Sequence, residues 1–260
     1  MLAHTIDERQ AGNARLVVVY DQVFEKAQYL VSKLFSKPRI AKTFDELIKV
    51  SNLDLVIEAA SQGAARQYAS KVLKAGKDLM VMSVGALVDS ELREEIRRRA
   101  HSTGKKVYVP SGAIAGLDGI KAAVIGKVNH VTLTTRKPPV GLIGAPYFKQ
   151  IKMNLNKLKE PEVIYEGPAL EACKLFPANV NVAAALGLAG IGLEKTRVRV
   201  VVDPTIRRNI HKIDVKGEFG ELSVRTKNVL SPGKPETSYL AALSAIATLR
   251  KITESILIGT

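Results

Sequence analysis

The length and composition of this chain predict an ordinary soluble globular protein with one or two domains. It has 260 residues, of which 46% are hydrophobic and 25% charged, enough to bury a large core. No apolar run is long enough to span a membrane, and the N-terminal MLAHTIDERQ lacks the apolar core of a signal peptide. We therefore expect a cytoplasmic protein without a membrane partner. A single cysteine, Cys173, excludes an internal disulfide framework.

The formal net charge of +14 raises the question of an anionic partner. The basic residues are dispersed along the chain, aromatic residues make up only 5%, and there is no tryptophan for base stacking. Solvated faces explain most of this charge, and a field that steers small anionic ligands explains some of it. We expect no nucleic-acid partner.

In the first part of the chain, helical and strand-like segments alternate, which predicts a parallel sheet covered by helices on both faces. Its apolar runs are continuous, as in strands buried on both sides. Asp89 is expected to cap a helix that Gly104 ends. The predicted strands are 15–21, 54–60, 78–84 and 105–111, and the predicted helices are 2–10, 25–37, 44–51, 66–74 and 90–100.

Beyond a glycine-rich crossing at 112–119 the pattern changes to alternating strands with tight turns, which predicts a second, mostly antiparallel sheet. Segments 169–174 and 181–189 are predicted helices. An apolar helix from Thr237 to Lys251 is expected to pack back on the first domain. The predicted division is a first domain of residues 1–111, joined by the C-terminal helix of 237–256, and a second domain of residues 112–236.

Four segments carry a resemblance to a known family. They are VYVPSGAIAGLDGI (107–120), FPANVNVAAALGLAG (176–190), NIHKIDVKGEFGE (209–221) and PETSYLAALSAIATL (235–249). Together, in unbroken order from about Leu2 to the C-terminus, the chain resembles the archaeal and bacterial L-aspartate dehydrogenases. The resemblance implies an α/β fold, with a Rossmann-type dinucleotide-binding domain and an α+β catalytic domain. It also implies NAD(P)-dependent oxidation of L-aspartate to iminoaspartate, which hydrolyses to oxaloacetate and ammonia or feeds NAD biosynthesis.

One element of that family is not in this sequence. The family opens with a central strand and a GxGxxG phosphate loop, and the 260 residues contain neither. A sheet without its central strand leaves buried N–H and C=O groups unpaired, at a cost of roughly 1–3 kcal/mol each. We therefore expect that the sequence begins at an internal methionine and that the coding frame continues upstream. The alternative, a cofactor-less binding or regulatory protein, stays open.

The expected cofactor is NAD. Asp21 ends a strand where this fold places an acid on the adenosine ribose, and no arginine follows it for a 2′-phosphate, although Lys26 keeps NADP open. Residues after the carboxyl ends of parallel strands line the ligand crevice. Further cofactor contacts are expected there, and by resemblance in the second domain, at Ser61, Gln62, Ser83, Gly85, Ala113 and Asn181.

His211 falls on the NIH motif, whose histidine the resemblance identifies as the general acid/base. An imidazole exchanges protons near neutral pH, with an ordinary pKa of about 6.5. The expected substrate-carboxylate contacts are Arg136, Lys137, Thr237 and Ser238, and no metal site is expected. The resemblance further implies a homodimer. Homoserine and aspartate-semialdehyde dehydrogenases, which share this architecture, remain open as enzymatic alternatives.

Overall fold

The computed structural model describes residues 1–151, 153–155, 158–177, 180–231 and 234–259. The chain divides into two compact units. The first comprises Met1–Pro110 and Ala245–Ile258, and the second comprises Ser111–Ser244 and the last two residues.

The first unit alternates helices with short parallel strands, which confirms the predicted α/β class. Strands β1 and β2 form one parallel pair, and β3, β4 and β5 form a separate parallel sheet in that order. Its elements are α1 (Leu2–Asp7), β1 (Val18–Val19), α2 (Phe24–Ser32), β2 (Arg39–Ile40), α3 (Phe44–Ile48), β3 (Leu55–Glu58), α4 (Gln62–Lys74), β4 (Asp78–Val81), α5 (Ser90–Thr103) and β5 (Val107–Tyr108).

The ends of α5 form as predicted. The Asp89 carboxylate accepts hydrogen bonds from the backbone N–H groups of Glu91 and Leu92, and so caps the first turn. Gly104 ends the helix in the left-handed region at φ +67°. The strands are shorter than the apolar runs predict. For example, only Val18 and Val19 of the run 15–21 pair with a neighbouring strand, because β2 has only two residues.

The core of the first unit lies between its larger sheet and two helices. Met80 is fully buried against Ile6 of α1 and against Ala245, Ile246 and Leu249 of the last helix, α10 (Tyr239–Thr253). Two hydrogen bonds from the Arg250 guanidinium to the Gln10 carbonyl, of 2.9 and 2.7 Å, join the last helix to the segment that follows α1.

The second unit is built on a five-stranded sheet in the order β10-β9-β6-β8-β7. Only the β6–β8 pairing is parallel, so the sheet is mostly antiparallel, as predicted. The remaining elements are α6 (Leu117–Ala123), β6 (Val128–Lys137), α7 (Tyr147–Gln150), β7 (Glu162–Pro168), α8 (Ala169–Leu175), α9 (Val180–Ala189), β8 (Arg197–Val202), β9 (Asn209–Gly217), β10 (Gly220–Asn228), β11 (Leu230–Ser231) and β12 (Lys234–Ser238).

The predicted start of the last helix is wrong, and the predicted start of α9 differs by one residue. The last helix begins at Tyr239, and Thr237 and Ser238 instead end β12, where Ser238 pairs with Leu230 of β11. The polar run PETS favours neither state by itself, and pairing with β11 decides it. Helix α9 begins at Val180, one residue before the predicted start, so Asn181 lies in its first turn.

Candidate active site

His211 lies on the buried face of the second unit's sheet, in the middle of β9. Strand alternation places Asn209, His211 and Ile213 on that face, where each is less than a tenth exposed. Thr135 of β6 lies directly opposite His211 on one side, and its hydroxyl oxygen is 3.1 Å from His211 Nδ1. Thr226 of β10 lies opposite on the other side. The register of three strands therefore fixes the position of the imidazole.

Lys137 lies on the same buried face, two residues along β6 from Thr135. It is only 6% exposed. A Cβ at Gly141 would lie 3.6 Å from Lys137 Cδ and 3.8 Å from Asn209 Oδ1, so the lysine and this asparagine flank one glycine. Within the described part of the chain, no carboxylate forms an ion pair with Lys137. The site thus holds a buried cation beside a buried histidine.

Burial shifts the pKa of both groups. Desolvation lowers the pKa of Lys137 to about 8. The pKa of His211 is lowered to about 3, first by desolvation and second by the charge of Lys137. The imidazole is therefore neutral at neutral pH. Its pKa lies well below the ordinary value that the sequence analysis used. The pocket beside Thr135 is otherwise lined by apolar side chains, namely Leu133, Leu142, Ala172, Phe176, Ala183, Val198 and Val200.

Arg136 and Lys137 are adjacent in sequence, but strand alternation directs them to opposite faces of β6. Arg136 Nη1 lies 3.4 Å from Asp203 Oδ2. Asp203 is 1% exposed, and its Oδ1 also accepts hydrogen bonds from the backbone N–H and the hydroxyl of Thr205. The structure brings Lys137 to the face that carries His211, and it pairs Arg136 with an acid.

The glycine-rich segment is held against β10. The Ala113 carbonyl accepts hydrogen bonds from Asn228 Nδ2 at 2.9 Å and from the Thr226 hydroxyl at 3.1 Å. Gly116 has φ +83°, and a Cβ there would lie 2.8 Å from Val224 Cγ2. Only glycine therefore fits this approach. Ala113 is thus fixed by the residue that pairs with His211.

The other sequence-predicted contacts of the second unit lie in three different settings. Asn181 is exposed in the first turn of α9. Thr237 is exposed at the end of β12, and its neighbour Ser238 is buried. Their predicted roles rest on the resemblance alone.

In the first unit, the residues predicted to contact the cofactor follow three parallel strands. Asp21 follows β1, and its Oδ1 accepts the backbone N–H of Val23 at 2.9 Å. Ser61 caps α4, and Gln62 is the first residue of that helix. Ser83 and Gly85 lie in a 3₁₀ turn directly after β4, where Gly85 is buried.

This arrangement fits the two ends of a nicotinamide dinucleotide. A half-exposed carboxylate after β1 suits the ribose hydroxyls, and the turns after β3 and β4 stand at the carboxyl edge where such ligands bind. The GxGxxG loop that holds the pyrophosphate in this fold does not occur among the 260 residues.

Sequence reasoning missed two residues that organise these sites. Thr135 gives no signal of its own, because only the pairing register places it opposite His211. Glu58 accepts four hydrogen bonds at the end of β3. An acid that ends the apolar run LVIE was a usable signal for it.

Cys173 is not an activated nucleophile. It is buried in α8, and desolvation raises the pKa of its thiol to about 12.

Across the described residues, no group of three or more histidine, cysteine or acidic side chains is placed to hold a metal ion. No helix in that part of the chain is long and apolar enough to cross a membrane.

An α/β unit with an acid after its first strand, joined to a sheet that carries a buried histidine and lysine, defines a two-domain NAD-dependent dehydrogenase. Residues 118–252 match the family model "Aspartate dehydrogenase, C-terminal", and residues 1–110 match "Homoserine dehydrogenase, NAD binding domain". The chain belongs to the L-aspartate dehydrogenase family.

Similar proteins cover nearly the whole chain. It is 51% identical to an L-aspartate dehydrogenase of Methanosarcina barkeri, over 95% of this chain and 91% of the relative, and 52% identical to one of Methanocella arvoryzae, over 95% and 90%. The crystal structure of aspartate dehydrogenase from Thermotoga maritima matches with a TM-score of 0.74 at 30% identity, over 95% of this chain and 92% of that one. These matches confirm the family that the sequence motifs indicated.

We expect Lys137→Met to stabilise the protein. The folded-state pKa of Lys137 lies below its unfolded value, so burying the charged form costs on the order of 3 kcal/mol at neutral pH. The gain in free energy of unfolding should be present below pH 8 and vanish as the pH rises through the unfolded pKa of 10.5. Denaturant unfolding of the wild type and of Lys137→Met at pH 7, 9 and 10.5 measures this difference in the free energy of unfolding.

The exposed Lys227 of β10 provides a matched control, because Lys227→Met removes the same charge without relieving a burial cost. A Lys137→Met protein that is less stable than the wild type at pH 7 would contradict the prediction and indicate a partner that stabilises the ammonium.

Proposed function

We propose that this protein oxidises L-aspartate to iminoaspartate with NAD, and that water then converts the imine to oxaloacetate and ammonia. One observation carries the proposal for the site: a lysine without a paired carboxylate and a neutral histidine share one buried sheet face. L-Aspartate supplies both a carboxylate for the cation and an α-ammonium proton for the base. The family relationship supports the same reaction.

In this proposal His211 moves the protons. The α-ammonium must lose a proton before the carbon–nitrogen double bond forms, and the neutral imidazole can accept it. The Thr135 hydroxyl at Nδ1 orients the ring and leaves Nε2 to face the substrate. The imidazolium then releases this proton to solvent, and the neutral imidazole can accept a proton from the water that adds to the imine carbon.

Lys137 binds a substrate carboxylate and, by doing so, changes the basicity of His211. The charge of Lys137 is one of the two causes that lower the pKa of His211. A carboxylate paired with the ammonium offsets that charge and so raises the pKa of the imidazole, while desolvation, the larger cause of the lowered pKa, remains. The base becomes stronger when the substrate arrives.

The bound nicotinamide supplies the acceptor for the hydride that leaves the α-carbon. Asp21 would hold the adenosine ribose, and the turns at Ser61–Gln62 and Ser83–Gly85 would hold the nicotinamide end. The family resemblance also implies cofactor contacts at Ala113 and Asn181. We propose NAD as the preferred cofactor, with NADP as the weaker one.

The enzymatic alternatives have less support. An aspartate-semialdehyde dehydrogenase needs a reactive cysteine, and the thiol of Cys173 is buried with a raised pKa. The homoserine dehydrogenase model matches only the NAD-binding part, residues 1–110, whereas the aspartate dehydrogenase model covers residues 118–252.

Replacing His211 by asparagine should lower kcat by about 10²- to 10⁴-fold, the usual contribution of a general acid/base group, and leave NAD affinity nearly unchanged. Aspartate-dependent NADH formation and the melting temperature are measured on the same sample. His130→Asn, at an exposed histidine of β6, is the matched control and should retain full turnover. A stable His211→Asn protein with undiminished kcat would remove His211 from the mechanism.

Asp21→Ala should narrow the difference in affinity between NAD and NADP. The carboxylate accepts hydrogen bonds from ribose hydroxyls and repels a 2′-phosphate, so its loss weakens NAD and favours NADP. Titration of both cofactors into the wild type, Asp21→Ala and the exposed control Glu25→Ala separates this local effect from a general loss of charge. A wild-type preference for NADP would oppose the role of Asp21, and no binding of either cofactor would favour the cofactor-less alternative.

We also propose a homodimer formed through the second unit. The proposal rests on the family relationship and on β10, a nine-residue strand that pairs only with β9 among the described strands. Light scattering at micromolar concentration should give a dimer mass. A monomer mass would refute the proposal.

A further inference from the structure

The carboxylate of Glu58 joins the turns that follow two neighbouring strands of the first unit. Its Oε1 accepts hydrogen bonds from the backbone N–H of Ala60 at 2.8 Å, from that of Ser61 at 3.0 Å and from the Ser83 hydroxyl at 2.9 Å. Its Oε2 accepts the backbone N–H of Ser83 at 3.0 Å. Glu58 is 9% exposed.

Each of these turns begins a helical element. Ser61 caps α4 by accepting the backbone N–H of Ala64, and the Ser83 carbonyl accepts the N–H of Ala86 in the 3₁₀ turn. Glu58 pairs in register with Val81, the last residue of β4. One side chain therefore fixes the starting points of two segments that are separated along the chain by α4 and β4.

A buried acid at this position lowers the stability of the fold unless its oxygens accept hydrogen bonds. Burying a carboxylate without donors carries a large desolvation cost, whereas four donated hydrogen bonds offset it. A neutral amide cannot replace it, because the NH₂ of glutamine would face a backbone or hydroxyl donor at one of the two oxygen positions. The arrangement needs two acceptor atoms, as only an ionisable carboxyl side chain of this length provides.

We propose that Glu58 is a positioning residue for the nicotinamide end of the cofactor. This inference rests on the proposed function, because it takes the turns at Ser61–Gln62 and Ser83–Gly85 to be cofactor contacts. Glu58 does not contact the cofactor itself. It holds both turns in the conformation that receives the nicotinamide, and it has no part in binding the adenosine half, which depends on Asp21 after a different strand.

The test uses Glu58→Gln in the complete protein, with NAD and AMP as probes. AMP carries only the adenosine half of the cofactor. Loss of one strong hydrogen bond corresponds to about a tenfold change in affinity, so the Kd for NAD should rise by about that factor or more. The Kd for AMP should change by less than about twofold. Asp78→Asn is the matched control, because the Asp78 carboxylate accepts the backbone N–H of Lys106 at the opposite end of β4.

Each outcome decides the inference. The inference is supported if Glu58→Gln binds NAD more weakly than the wild type but binds AMP equally well, and if Asp78→Asn binds both as the wild type does. Equal losses for NAD and AMP, or no loss for NAD, overturn it. If Glu58→Gln does not fold, Ser83→Ala removes only the hydroxyl bond, and undiminished NAD affinity in that variant overturns the inference. Failure of the proposed function would appear separately, as wild-type protein that binds NAD but forms no NADH from aspartate.

Discussion

The pairing register of β9 between β6 and β10 is the constraint on which the candidate active site depends. It sets Thr135, His211 and Thr226 side by side and places Lys137 on the same buried face. A slip of one residue would send His211 to the exposed face, since side chains alternate along a strand. The close approach of Gly116 to Val224, together with the two hydrogen bonds to the Ala113 carbonyl, fixes β10 against the glycine-rich segment.

Two of the buried ionisable groups, Glu58 and Lys137, have opposite surroundings. Glu58 receives four hydrogen bonds, so its buried carboxylate is already satisfied in the protein alone. Lys137 receives no carboxylate from the described residues, and desolvation lowers its pKa. A satisfied buried charge organises structure, whereas an unsatisfied one costs folding free energy and is ready to bind a ligand of opposite charge. The contrast separates a positioning residue from a proposed binding residue.

Sequence patterns were sufficient for the class of fold and for the family. The alternation of apolar strands with helices is local, and so are the cap at Asp89 and the helix end at Gly104. Features that depend on which strands pair, and in which register, could not be predicted from the sequence. The sequence treats Arg136 and Lys137 as one basic pair, but strand alternation and the ion pair with Asp203 separate them. Thr237 and Ser238 appear helical until pairing with β11 is known. The depressed pKa of His211 follows from burial and from a neighbour 74 positions away, which no local pattern reports.

The same uncompensated cation bears on which substrate this protein prefers. A four-carbon amino acid with a side-chain carboxylate provides the counter-charge that Lys137 lacks. If Lys137 pairs with the side-chain carboxylate rather than with the α-carboxylate that all three substrates share, a homoserine hydroxyl or a semialdehyde carbonyl leaves the ammonium without its partner. Sites that contain an unpaired buried polar group discriminate strongly against analogues that cannot satisfy it. Pairing with a side-chain carboxylate would also offset the charge of Lys137, the smaller of the two causes that lower the pKa of His211. Substrate selection and activation of the general base would then arise from one electrostatic interaction.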